Sequence, residues 1–145
     1  MLPELKQMGV IRTPYITGEE APIQSRMSNE TGRVEVLDDY KEGLDGVEGF
    51  SHLILLYLFH RSSGYSLKVK PFLDNKKKGV FATRAPARPN NIGISVVELL
   101  ERKENILRVK GVDMIDMTPL LDIKPYVPAF DYRKNAKIGW LEGKV

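Results

Sequence analysis

Residues 79–95 read Gly-Val-Phe-Ala-Thr-Arg-Ala-Pro-Ala-Arg-Pro-Asn-Asn-Ile-Gly-Ile-Ser and hold the densest set of groups able to bind and react. Arg84 and Arg88 offer planar donor forks suited to a carboxylate or a phosphate. Asn90 and Asn91 add amide groups that both donate and accept. Pro86 and Pro89 fix φ and lack an N–H, so no continuous helix passes through and the loop is stiff. A stiff loop loses less entropy when it engages a ligand. The plain alternative is an exposed loop whose arginines only solvate it. Two arginines and two asparagines on one rigid frame favour a binding site.

A second cluster, Gly111-Val-Asp-Met-Ile-Asp-Met-Thr-Pro-Leu-Leu-Asp-Ile-Lys-Pro-Tyr126, carries Asp113, Asp116 and Asp122. One of these carboxylates can bind ligand N–H or hydroxyl groups. The alternative is that Asp116 and Thr118 cap turns by bonding nearby backbone N–H groups. The spacing lacks the glycine and terminal glutamate of an EF-hand loop, which argues against a metal cage. His60-Arg61 closes an apolar run and reads as either a rim pair or a ligand contact, whereas His52 at the other end reads as structural. With no cysteine and only His52 and His60, thiolate zinc sites, cysteine nucleophiles and three-histidine metal sites are excluded. No metal is expected.

The elements that must position these groups are short. Gly9–Thr13 alternates and stops at Pro14, and residues 14–32 are punctuated as a loop. Arg33–Leu37 alternates as a half-buried strand. Residues 39–50 carry Gly43, Gly46 and Gly49, so one short helical turn at most is expected there. His52–His60 reads as a central strand buried on both faces. Ser66–Lys70 is a short strand, and Ile94–Arg102 with Ile106–Val112 forms a hairpin with Leu107 and Val109 on one face and Arg108 and Lys110 on the other. Leu120–Tyr126 is a last strand, and Trp140 is expected in a terminal turn docked on the barrel. Many short strands without long amphipathic helices point to a mainly β fold, an antiparallel or mixed barrel. The absence of a strand–GxGxxG–helix unit argues against a dinucleotide-type Rossmann domain.

A chain of 145 residues suits one domain, residues 1–145, and its net charge of +3 permits an anionic partner without requiring one. Met1–Val10 lacks the pattern of a signal peptide, and Leu53–Phe59 is too short to span a bilayer. A cytoplasmic protein is expected. Lys76-Lys77-Lys78 reads as a solvated turn or as a phosphate contact.

Five motifs in order resemble one family. They are Gly-Val-Ile-Arg-Thr-Pro-Tyr at 9–15, Pro-Ile-Gln at 22–24, Gly-Phe-Ser-His-Leu at 49–53, Phe-Ala-Thr-Arg-x-Pro-x-Arg-Pro-Asn-x-Ile-Gly at 81–93 and Asp-Ile-Lys-Pro-Tyr at 122–126. Over residues 9–131 the chain is similar to the TrmO (TsaA-like) tRNA adenine-N6 methyltransferases. The resemblance implies a single-sheet β-barrel with short helical turns, a homodimer, and S-adenosyl-L-methionine as methyl donor. It implies N6 of threonylcarbamoyladenosine at tRNA position 37, beside the anticodon, as acceptor. A C-terminal region carried by many bacterial relatives is expected to be absent, so that tRNA contact is expected from the barrel or its dimer mate. The implied donor site comprises Pro22, Ile23, Gln24, His60, Arg61, Arg84, Ile94, Asp113, Met114, Ile115 and Asp116. Arg84 or Arg61 suits the donor's carboxylate, Asp113 or Asp116 its ammonium or ribose, and Ile23 and Ile94 its adenine.

Direct in-line transfer is the expected chemistry. The N6 lone pair is delocalised, so an acceptor for its N–H assists attack. Candidates are the amide of Asn90 or Asn91, the carboxylate of Asp116 and loop carbonyls, with Asn90 favoured. Arg88, Lys68, Lys70, Lys76, Lys77 and Lys78 are candidate RNA phosphate contacts. Three departures from the family pattern stand out: Asn91 where proline is usual, Met117 where glycine is usual and Ala85 where serine is common. If the backbone at Met117 has positive φ, strain of about 1–2 kcal/mol is expected. Other acceptors, and a donor- or RNA-binding module without catalysis, are the competing readings.

Overall fold

The computed structural model describes residues 1–145, the side chain of Ser25 excepted. Eight strands follow in chain order: β1 (Gly9–Arg12), β2 (Thr31–Val36), β3 (His52–Leu58), β4 (Lys68–Val69), β5 (Lys78–Gly79), β6 (Ile92–Lys103), β7 (Ile106–Lys110) and β8 (Thr118–Pro125). Six of them close into an antiparallel barrel in the order β1-β2-β7-β6-β3-β8, while β4 and β5 pair only with each other. The fold is mainly β, as the spacing of short strands predicts.

Alternation explains the wall. In β2, Val34 and Val36 point inward and are buried, while Thr31, Arg33 and Glu35 point outward. In β7, Leu107 and Val109 are fully buried and Arg108 and Lys110 face solvent. Ile11, Leu53, Leu55, Val97 and Leu120 complete a continuous core. Gly93 of β6 faces Tyr57 of β3, and a Cβ there would collide with the rings of Tyr57 and Phe59. Only glycine fits this close approach.

Four details differ from the sequence reading. β3 is not buried on both faces: Leu53, Leu55 and Tyr57 fill the core, while Ile54, Leu56 and Leu58 form a half-buried outer row. The barrel interior covers one face only, and no helix layer covers the other. Residues 38–49 hold two 3-10 segments rather than one turn, Asp38–Leu44 and Val47–Gly49, separated at Gly46 with φ 88°. Ser66–Lys70 contributes only the two residues of β4, to a separate hairpin. Trp140 docks on that hairpin and its neighbour rather than on the barrel. Its Nε1–H donates to the Ala82 carbonyl at 2.7 Å, and Lys78 Nζ lies 5.6 Å from its ring centroid. A four-residue α-helix, α1 (Pro128–Asp131), lies upstream. Among the described residues no helix is long and apolar enough to cross a membrane.

Candidate functional site

Antiparallel closure sends alternate connections to the same end of a barrel. The β1–β2, β3–β6 and β7–β8 connections, residues 13–30, 59–91 and 111–117, therefore share one end. All the expected site residues lie on these three segments except Ile94, the third residue of β6 beside them.

The first two segments brace each other. Arg84 Nη1 donates to Gln24 Oε1 at 3.0 Å, and Arg61 Nη1 donates to the Ile16 carbonyl at 3.2 Å. Both arginines remain exposed, as does Ile23, while Pro22 and Gln24 are half-buried. His60 is half-buried, and its Nδ1 is shielded from solvent without a hydrogen-bond partner. Desolvation, and then the charge of Arg61, hold His60 below the ordinary imidazole range. A neutral ring with an unsatisfied nitrogen is suited to a polar ligand atom.

The third segment divides. Met114 is buried in the core at 4% exposure and pins the loop between two carboxylates. On one side Asp113 turns toward the barrel interior. Ser95 Oγ donates to Asp113 Oδ1 at 2.5 Å, and the Tyr57 hydroxyl lies 2.7 Å from Ser95 Oγ. Burial pushes the Asp113 carboxyl up to about 6, opposed by the Ser95 hydrogen bond and the charge of Arg84. Burial, and next the charge of Asp113, raise the Tyr57 phenol well above its usual range, so it stays protonated. On the other side Asp116 takes a two-pronged bond from Arg12, Nε to Oδ1 at 2.9 Å and Nη2 to Oδ2 at 3.3 Å. The Thr13 N–H adds a third bond at 2.9 Å. These partners, Arg12 foremost, hold Asp116 below the usual carboxylate range. A cleft of about 430 Å³, lined also by Arg33 and Arg108, opens there. Ile115 is half-buried, and its carbonyl accepts from Thr118 Oγ1 at 2.6 Å.

The proline-rich loop is held from within. Arg88 Nη1 donates to the carbonyls of Thr83 and Ala85 at 2.9 and 3.0 Å. Asn91 Nδ2 donates to the Pro86 carbonyl at 2.7 Å and reaches the Gly64 carbonyl at 3.5 Å. Asn91 thus cross-links the loop by its side chain where a proline would stiffen it by its ring. Asn90 is exposed, and only its backbone carbonyl is engaged, by the Ile92 N–H at 2.7 Å. Lys76 and Lys77 face solvent, whereas Lys78 is committed to Asp74 at 3.0 Å and to Trp140. Among the described residues no group of acids or histidines is arranged to hold a metal.

Sequence reasoning missed Tyr57, Ser95 and Arg12. The available signal was a hydroxyl at an inward position of a strand otherwise filled by valine and glycine, and a tyrosine at an inward position of the neighbouring strand, opposite Gly93.

The tRNA-methyltransferase O N-terminal domain model matches residues 10–132. The chain belongs to the TrmO family. A probable S-adenosyl-L-methionine-binding protein of Pyrococcus abyssi is 55% identical over 97% of this chain and 77% of its own length. A tRNA (adenine(37)-N6)-methyltransferase of Escherichia coli is 38% identical over 96% of this chain and 64% of its own. The crystal structure of TrmO from Pseudomonas aeruginosa superposes with a TM-score of 0.81 at 38% identity, covering 97% of this chain and 63% of that one. The chain therefore spans just under two thirds of these two bacterial proteins.

Proposed function

We propose that the protein binds S-adenosyl-L-methionine at the loop end of the barrel and methylates N6 of threonylcarbamoyladenosine at tRNA position 37. The observation that supports this is the gathering there of two exposed arginines, a raised carboxylate and an unsatisfied imidazole nitrogen, from three separate stretches of chain: His60-Arg61, Arg84 and Asp113. These groups fit the donor. Arg84, aimed by Gln24, or Arg61 binds its carboxylate. Asp113 receives its ammonium or ribose hydroxyls, and His60 Nδ1 meets a further polar atom. Ile23 and Ile94, 41% and 40% exposed, line the adenine from one side. The donor supplies an electrophilic methyl group on a sulfonium.

The chain's task is then to orient the adenosine N6 by accepting a hydrogen bond from its N–H, the proton leaving to water as the N–CH3 bond forms and the donor's S–CH3 bond breaks. Of the foreseen acceptors Asp116 is less available than Asn90, because Arg12 and Thr13 already occupy its carboxylate. Asn90, exposed and with an uncommitted amide, is the better one, and Asp116 braces the loop.

The working unit is a homodimer. Ile54, Leu56 and Leu58 on β3 lie beside Ile94 and Ile92 on β6 and form an aliphatic ladder on the outer wall. Such a patch favours a second copy, which would also supply the missing wall of the adenine slot at Ile94. Sedimentation of Leu56→Glu as a monomer, with weakened donor affinity, is the expected result.

The deciding experiment incubates the protein with tritiated donor and two tRNA pools, with and without threonylcarbamoyladenosine. Label in the first pool alone supports the proposal. Donor binding by calorimetry without label in either pool overturns it in favour of a donor-binding module or another acceptor, a reading that the name of the Pyrococcus relative also suits.

A further inference from the structure

Residues 64–81 stand outside the barrel sheet yet are firmly held. Lys68 pairs with Gly79 and Val69 with Lys78. The Val80 N–H donates to the Leu67 carbonyl at 2.9 Å, and the Ser66 N–H to the Ala87 carbonyl at 3.2 Å. The second bond ties the hairpin to the loop of Arg84 and Asn90. From below, Lys144 Nζ reaches Asp74 and the Leu73 carbonyl, both at 3.2 Å.

A braced hairpin has no need to leave large side chains in water, but this one does. Phe72 is 88% exposed, Phe81 75% and Tyr65 62%. Leaving a phenylalanine exposed forgoes the free energy of burying its ring. Near Phe72, the turn places Lys70, Lys76 and Lys77, all exposed. The segment's one carboxylate, Asp74, is shared by Lys78 at 3.0 Å and Lys144 at 3.2 Å. Those three lysines therefore flank Phe72 in the chain, exposed, while the segment's carboxylate is paired elsewhere.

This combination complements single-stranded RNA. Unpaired bases stack on an aromatic face, and the flanking phosphates meet ammonium groups. A second copy of this chain matches less well, since an isologous contact would bring the lysines against themselves. We infer that the hairpin tip is an RNA platform. Phe72 stacks on an unpaired base near the reacting adenosine, and Lys70, Lys76 and Lys77 hold the adjoining phosphates. The inference rests on the tRNA reading of the site and adds where, outside the donor-binding loops, the RNA is gripped.

The test is fluorescence anisotropy of a labelled anticodon stem–loop RNA with the full chain. Phe72→Ala is expected to weaken binding roughly ten- to a hundredfold, and Phe72→Trp to restore it. Binding to a blunt duplex of the same composition should not distinguish the two variants. Removing Lys70, Lys76 and Lys77 together should lower the slope of log affinity against log salt by about 2. Equal stem–loop affinity of the wild type and Phe72→Ala overturns the inference. A fall in sedimentation coefficient for Phe72→Ala also overturns it, by making the tip an interface between copies. The tRNA reading fails separately, if the wild type labels no tRNA.

Discussion

Asp113 and Asp116 leave the same loop three residues apart and end in opposite surroundings. Between them Met114 is sunk into the core, so the backbone cannot present both carboxylates to one side. Asp113 finds hydroxyls: Ser95 bonds it and Tyr57 stands behind Ser95, all largely out of water. Asp116 finds a guanidinium and a backbone N–H. The same functional group is thereby tuned in two directions, upward by desolvation and downward by pairing. One carboxylate is left able to change charge near neutral pH. The other is a fixed strut joining the β7–β8 connection to the end of β1. Proximity in sequence says little about shared chemistry when a buried residue lies between.

The comparison breaks most visibly at Asp113. Asp113→Asn is expected to weaken donor binding about ten- to a hundredfold, the loss of a charge-assisted hydrogen bond. The same change should stabilise the fold at pH 7 by roughly 1–2 kcal/mol. The direction follows from linkage. A carboxyl raised to about 6 in the folded state binds its proton more tightly there than in the unfolded chain. Its contribution is present below about pH 4 and is lost as pH climbs through about 6. Urea titrations at pH 4.5 and 7 measure both states. A variant less stable than the wild type at pH 7 would show that the carboxylate is not strained by burial.

Calorimetry against pH sharpens the same point. Donor affinity of the wild type should rise as pH passes upward through about 6 and then level, because the ammonium and ribose hydroxyls need the ionised acid. The Asn variant should bind weakly and evenly across that range. A wild-type profile flat between pH 5 and 7 would remove Asp113 from the donor site.

Asp116→Ala tests the other half. It strands the Thr13 N–H and the Arg12 guanidinium, and should cost about 1–2 kcal/mol of stability, read by urea unfolding. Donor affinity should fall less than for Asp113→Asn. A greater loss of affinity than for Asp113→Asn would exchange the roles of the two residues.

Local pattern carried most of the barrel. Alternation in β2 and β7, and the stops at Pro14 and Pro125, mark strands without help from distant residues. The sharing of one barrel end by three loops then follows from antiparallel order. What local pattern could not carry are contacts made by closure. Ser95 comes opposite Leu55, and so near Tyr57, only through the β3–β6 register. Arg12 and Asp116 are brought together only when β8 returns to β1. The half-exposed outer row of β3 is hidden for a related reason: an apolar run looks the same whether its second face is covered by a helix layer or left half-exposed. The two 3-10 segments were hidden by glycines, which mark a break without saying what lies on either side.

The smallest effect lies at Met117, beside the strut. Its φ of 68° places it in the left-handed region, where a side chain is disfavoured by about 1–2 kcal/mol. Met117 is 53% exposed, so replacing it removes little buried surface. Glycine relieves the strain but adds freedom to the unfolded chain, a cost of about 0.5–1 kcal/mol. Met117→Gly should therefore gain only about 0.5–1 kcal/mol, a rise of a few degrees in Tm for a domain of this size. Since Asp116 keeps its three bonds and Asp113 lies beyond the Met114 anchor, donor affinity should stay within about twofold, well under the 1.4 kcal/mol of a tenfold change. A larger loss of affinity would mean that the strained backbone at Met117 sets the position of Asp113, and that the two carboxylates are coupled through the loop rather than separated by it.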